Sequence, residues 1–133
     1  MSMSPTVLII EDSATQAKLT AAQLSGYDIN VVLAEDGVQG LRCVDTFPPD
    51  LIVLDVNLPK MDGYQVCQRL KRDENTKHIP VIMLTANDSS EDALKGLAVG
   101  ADDYIPKDVF AIQHLLSALE MLGFLDAGKA AKS

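Results

Sequence analysis

Three carboxylates, Glu11, Asp12 and Asp55, stand directly after short apolar runs of the kind that form buried strands: Thr6-Val-Leu-Ile-Ile10 before the first two and Leu51-Ile-Val-Leu54 before the third. Brought to one mouth of a sheet, such groups repel one another, so the cluster must either raise some of its pKa values or hold a cation. With oxygen ligands alone and no His or Cys beside them, the favoured ion is a hard one such as Mg²⁺. That ion keeps several waters and takes only one or two carboxylates, which leaves positions for a phosphoryl oxygen. Lys107 is the one cation placed to pair with Asp55, and the Thr85 hydroxyl, at the end of the run Val81-Ile-Met-Leu84, can donate to a bound anion. A carboxylate beside a metal, a lysine and a hydroxyl can act as a nucleophile on phosphorus and form an acyl phosphate. Asp55 is the candidate nucleophile, with metal and lysine neutralising the equatorial oxygens of the transferring group.

The elements that must position these residues alternate along the chain. Strands are expected over Thr6 to Ile10, Ile29 to Leu33, Leu51 to Leu54, Val81 to Leu84 and about Asp103 to Ile105. Between and after them lie helical patterns. Ser13 caps the first, which carries Ala17, Ala21 and Leu24 and ends near Gly26; the second runs from Gly37 to about Thr46 and stops at Phe47-Pro48-Pro49. The third covers about Tyr64 to Lys71 after the Asp62-Gly63 turn, with Val66 and Leu70 inward. The fourth starts at Asp88-Ser89-Ser90, gathers Ala93, Leu94, Leu97 and Ala98 on one side and closes at Gly100. Asp108 is the expected cap of the fifth, whose Ile112, Leu115, Leu116 and Leu119 form a stripe before Gly123. Five such pairs in strict alternation argue for a doubly wound α/β domain, a parallel sheet covered on both faces. Ligands of these sheets sit beyond the carboxyl ends of the strands, where Glu11, Asp12, Asp55, Thr85 and Lys107 all fall.

Composition narrows the functions this domain can serve. A chain of 133 residues is one module, and its 47% hydrophobic and 23% charged residues make it an ordinary globular one. The net charge of −8 disfavours direct contact with nucleic acid or anionic membranes. No apolar run reaches the roughly 20 residues of a membrane span, and Met1-Ser-Met-Ser-Pro5 lacks the basic start and apolar stretch of a signal peptide, so a cytoplasmic location is expected. Cys43 and Cys67 lie in helical segments without CxxC spacing and read as buried free thiols; His78 and His114 have no partner at metal-ligand spacing. Residues 125–133, with Ala127-Gly-Lys-Ala-Ala-Lys-Ser133, are small and polar and read as a flexible tail after a domain of residues 5–124.

From about Thr6 to Leu122 the chain resembles the receiver domains of bacterial two-component response regulators, including the single-domain chemotaxis (CheY-like) type. The marks are Glu11-Asp12, Asp55 after its apolar run, Leu58-Pro59-Lys-Met-Asp-Gly63, Thr85-Ala86, and Tyr104 with Lys107. The resemblance implies a flavodoxin-like sheet of order 2-1-3-4-5 with five helices, the strand order that general accounts of this fold already give for the family. It implies that Asp55 accepts a phosphoryl group from a sensor histidine kinase or a histidine phosphotransfer protein. Asp12, Asp55 and the main-chain carbonyl of Asn57 would hold Mg²⁺, with Glu11 assisting through water. Thr85 would follow the phosphoryl group and Tyr104 swing inward behind it. The face made by the fourth helix, fifth strand and fifth helix would then change its binding to a downstream protein, or support a weak dimer of an otherwise monomeric chain. Asn57 and Asn87 occupy positions that in this family modulate the phosphoryl lifetime. One departure stands out. The family usually has proline after the lysine, often with a cis bond, whereas here Pro106 precedes Lys107 and Asp108 follows it. A non-proline cis bond costs about 2.5–4 kcal/mol, so the loop either carries that strain or places Lys107 through a trans bond.

Other functions compete with this one. A Mg²⁺-dependent phosphatase of the haloacid dehalogenase type has a similar site, but its nucleophile follows the first strand and a second aspartate stands two residues later; here Asp55 follows the third strand and position 57 is Asn. A flavin or dinucleotide carrier needs a glycine-rich loop after the first strand, where Glu11-Asp-Ser13 stands. The receiver is therefore read as a binding module whose only chemistry is on its own Asp55, with a fragment of a larger regulator or hybrid kinase as the alternative. Met121, Leu122, Phe124 and Leu125 extend the apolar end of the last helix, either as core or as an exposed patch for docking.

Overall fold

The three central apolar runs form strands with both faces buried, and two more strands flank them at the edges. In the computed structural model, which describes residues 4–125, these are β1 (Thr6–Ile10), β2 (Asn30–Ala34), β3 (Leu51–Leu54), β4 (Val81–Thr85) and β5 (Asp103–Pro106). They alternate with α1 (Ala14–Leu24), α2 (Gly37–Thr46), α3 (Gly63–Arg72), α4 (Ser90–Ala98) and α5 (Ala111–Met121). All strand pairs are parallel and the order is β2-β1-β3-β4-β5. The fold is the expected five-stranded doubly wound one, flavodoxin-like in its strand order. The expected tail lies outside the described residues from position 126 onward, as do residues 1–3. Among the described residues no helix is long and apolar enough to cross a membrane.

Alternation along each strand divides the interior into two cores. Leu8, Ile10, Ile52, Leu54 and Met83 pack with Val44, Val66, Cys67 and Leu70 of α2 and α3. Val7, Ile9, Val53, Ile82 and Ile105 pack on the other side with Leu24 of α1 and Leu115 and Leu119 of α5. Helix entries are capped by side chains: Ser13 accepts from Gln16 N–H, Asp36 from Gln39 N–H and Ser89 from Asp92 N–H, while Asp62 and Gln65 form a reciprocal capping box on α3. Gly100, which ends the α4 turn, has φ +103°, a conformation that only glycine adopts without strain.

Five expectations need correction. The second strand is shifted by one residue, to Asn30–Ala34, because Ile29 N–H closes a tight turn onto the Tyr27 carbonyl and Asn30 is the first residue to pair with β1. As an edge strand it leaves Val32 and Leu33 exposed, so the sheet is not fully covered there. Asp108 does not cap α5: its carboxylate accepts from Phe110 N–H two residues on, forming an Asx turn, and the helix begins at Ala111 with no side-chain cap. The apolar side of α4 faces out, with Leu94 67% and Leu97 50% exposed, because the helix seats itself on the sheet through Gly96. Cys67 is buried as expected, whereas Cys43 is only half-buried; both are free thiols.

Candidate functional site at the carboxyl edge of the sheet

Parallel register carries the chemistry to one edge. Ile10 is level with Leu54, Leu54 with Met83 and Thr85 with Pro106, so the residues that follow β1, β3 and β5 emerge side by side. Backbone hydrogen bonds pin them: Glu11 N–H to the Ala34 carbonyl (3.0 Å), Asp55 N–H to that of Ile10 (3.0 Å) and Lys107 N–H to that of Thr85 (2.8 Å). Gly63 sits directly behind Asp55. A side chain there would collide with the Asp55 carbonyl and come within 2.7 Å of Val56 Cα, so α3 can start this close only on glycine.

Glu11, Asp12 and Asp55 each offer an oxygen to a cluster whose ligand atoms lie within 4.8 Å of one another. Glu11 and Asp55 are buried and Asp12 is exposed. The Lys107 ammonium donates to Asp55 Oδ2 at 2.8 Å and to Glu11 Oε1, bridging the two buried carboxylates. Every peptide bond among the described residues is trans, so Lys107 reaches Asp55 without a cis bond before Asp108. Asp55 Oδ1 accepts the N–H of Asn57 at 3.1 Å, and the hydroxyl of the fully buried Thr85 also bonds this carboxylate.

These contacts divide the carboxylates electrostatically. Burial pushes Asp55 upward, but the bonds from Lys107, Asn57 N–H and Thr85 outweigh it and hold the carboxyl below its ordinary range. For Glu11 burial prevails over the pull of Lys107, and the negative charge of Asp55 adds to it, so that carboxyl lies above its ordinary range. Burial pulls the Lys107 ammonium down, but the two carboxylates more than compensate and its pKa is raised. The anionic Asp55 beside a fully charged lysine is the nucleophile form that attack on phosphorus requires.

A second layer lies over this centre. The side-chain amides of Asn57 and Asn87 exchange hydrogen bonds of 3.0 and 3.2 Å across the mouth, and Asn87 N–H donates to Thr85 Oγ1 at 3.3 Å. Tyr104, half-buried, donates its hydroxyl to the Asn87 carbonyl at 2.7 Å. Burial, then the neighbouring Tyr64, raise the pKa of this phenol, which stays a neutral donor. Tyr104 is thus linked to the acidic centre through Asn87, without joining the cluster itself. Sequence reasoning paired Lys107 with Asp55 alone and missed its second partner, Glu11. Gly63 is legible in the sequence as a turn residue and as part of the Leu58 to Gly63 mark, but the crowding behind Asp55 that requires glycine there has no signal in composition or periodicity.

The model of the response regulator receiver domain family matches residues 7–120. Among curated proteins, the chain is 43% identical over 120 residues to the DNA-binding dual master transcriptional regulator RpaA of Synechocystis, covering 89% of this chain and 48% of that protein. It spans about half the length, or less, of the curated relatives it matches. Among solved structures, a response regulator from Chloroflexus aurantiacus described as putative superposes with a TM-score of 0.84 at 33% identity, covering 90% of this chain and 97% of that one. The receiver domain of a sensor histidine kinase from Pseudomonas aeruginosa, solved with a magnesium ion coordinated in its active site cleft, gives a TM-score of 0.80 at 30% identity over 90% and 97% of the two chains. With its sheet order, its acidic edge and a family match across most of its length, the chain belongs to the response regulator receiver domains.

Proposed function

We propose that residues 5–124 form a phosphorylation-controlled binding module in which Asp55 accepts a phosphoryl group from a phosphohistidine of a sensor histidine kinase or a histidine phosphotransfer protein. The observation that carries this reading is the Lys107 ammonium, 2.8 Å from a buried, anionic Asp55 at the carboxyl edge of the sheet. In the transfer, an Asp55 carboxylate oxygen bonds to phosphorus as the bond from phosphorus to the donor imidazole nitrogen breaks; the nitrogen keeps the electron pair and takes a proton from solvent. Lys107 and the Thr85 hydroxyl lie where charge develops on the phosphoryl oxygens, and the work is positioning and electrostatics.

The donor set fits Mg²⁺. Three carboxylates against one ammonium leave two negative charges at the site, all ligands are oxygen, and Asp12 remains open to solvent. Asp12, Asp55 and the Asn57 carbonyl would hold the ion, with Glu11 acting through water; when bound it supplies positive charge to the phosphoryl oxygens. Thr85 and Tyr104 then act as the switch, and α4, β5 and α5 form the face that meets a downstream protein or a second copy in a weak dimer. The chain has no substrate of its own beyond the Asp55 phosphoryl group and its loss to water, works in the cytoplasm, and contacts neither nucleic acid nor membrane directly. The relatives of about twice its length favour a second reading, in which this chain is the receiver of a larger regulator or hybrid kinase.

An acyl phosphate is cleaved by hydroxylamine, whereas a phosphoserine or phosphothreonine is not. Incubation with a phosphorylated histidine phosphotransfer protein is expected to give a hydroxylamine-labile phosphoryl group on the wild type and none on Asp55→Asn. A hydroxylamine-stable label, or label retained by Asp55→Asn, overturns the assignment.

A further inference from the structure

Helix α4 meets the sheet through a single buried position, Gly96, while Leu94 and Leu97 beside it are exposed. Glycine inside a helix costs stability against alanine, so the position needs a compensating reason. The reason is visible beneath it. A Cβ on Gly96 would lie 2.7 Å from Cδ2 and 3.0 Å from Cε2 of Tyr104, and 2.9 Å from Met83 Sδ. Met83 is fully buried in the central part of β4 and hemmed in by the core, whereas the Tyr104 ring borders solvent. The ring is therefore the part that yields.

We propose that Gly96 is a positioning residue for Tyr104: the missing side chain leaves a slot under α4 that the ring fills, bringing its hydroxyl to the Asn87 carbonyl. Any larger residue at position 96 turns the ring outward, whatever the state of Asp55. The slot also ties α4 to the site, because the carbonyl that receives the hydroxyl belongs to Asn87, whose N–H holds Thr85 Oγ1 and whose side chain pairs with Asn57. Its consequence for signalling rests on the reading of Tyr104 as a switch: with the slot closed, the inward state is lost from the population that binding can select.

The test uses the full chain labelled with 3-fluorotyrosine, the Tyr104 resonance among the three tyrosines being assigned by Tyr104→Phe. In the wild type that resonance is expected to show a smaller solvent-isotope shift than a solvent-exposed tyrosine does, and in Gly96→Ala the full shift of an exposed one. An unchanged Tyr104 resonance in a Gly96→Ala protein of wild-type circular dichroism overturns the proposal. If Gly96→Ala is poorly folded, Gly96→Ala/Tyr104→Ala decides: removing the ring is expected to restore stability, and a double variant no more stable than Gly96→Ala contradicts the slot. Beryllofluoride with Mg²⁺, a phosphoryl mimic, separates packing of the ring under α4 from its movement on phosphorylation. If it leaves the wild-type Tyr104 resonance unmoved while Gly96→Ala shifts it, the slot stands and the switch reading falls.

Discussion

At the residue scale the three carboxylates are not equivalent. Glu11 and Asp55 are buried and share Lys107, while Asp12 is exposed and is the member most open to a hydrated dication. Asp12→Ala is accordingly expected to weaken Mg²⁺ binding by about tenfold or more while leaving the fold intact. Titration calorimetry is the suitable assay, since the chain has no tryptophan to quench; an affinity equal to wild type would remove Asp12 from the metal site. The identities of these residues were legible because each follows a strand-like run, and a parallel sheet aligns the ends of such runs. What they do to one another was not. Lys107 and Glu11 are 96 positions apart, and their contact depends on the reach of one side chain across a mouth that only the folded sheet creates. The same holds for the reciprocal Asn57 and Asn87 amides, 30 positions apart, whose types were noted but whose pairing no spacing announces.

At the scale of elements, the loop after β3 carries Asp55, Asn57 and the start of α3 in one tight path, and the Asp62 and Gln65 capping box fixes where that helix begins. Asp62→Ala is expected to cost about 1 kcal/mol of unfolding free energy, read as a lower urea midpoint with an unchanged slope. A loss near zero would mean that packing of Val66 and Leu70 sets the helix start by itself. Strand and helix positions were readable from periodicity and caps to within a residue or so, and the exceptions have physical causes. Asp108 looked like a cap because an Asx turn and a helix cap use the same residue type, and only the partner, Phe110 N–H, tells them apart. The stripe of α4 looked like a buried face because periodicity reports which residues share a side and not which side the sheet occupies. Gly96, the residue that does face the sheet, has no side chain to register in such a pattern.

At the scale of the whole molecule, the outward side of α4 and the end of α5, where Met121 is 89% exposed, each leave apolar side chains in solvent on a strongly acidic protein. Leu94→Asp combined with Leu97→Asp is expected to shift stability by no more than about 0.5 kcal/mol per site, because both side chains are half exposed or more. The same pair should leave labelling of Asp55 unchanged and weaken self-association of the beryllofluoride-bound chain in sedimentation velocity. Unfolding of the double variant, or undiminished association, would count against this face. Strand order, by contrast, is a property of the whole chain that alternation alone does not determine; it came from resemblance, and the observed β2-β1-β3-β4-β5 sheet agrees.

All three scales meet in one expectation, that the arrangement around Asp55 exists to carry a phosphoryl group with the help of a dication. Intact mass after incubation with acetyl phosphate and Mg²⁺, run in parallel on wild type, on wild type with excess chelator and on Asp55→Asn, tests it most directly. A gain of one phosphoryl group, about 80 Da, is expected in the first sample and none in the other two. An equal gain in Asp55→Asn or in the presence of chelator, or no gain in the wild type when a transfer-competent histidine kinase also fails, would contradict it.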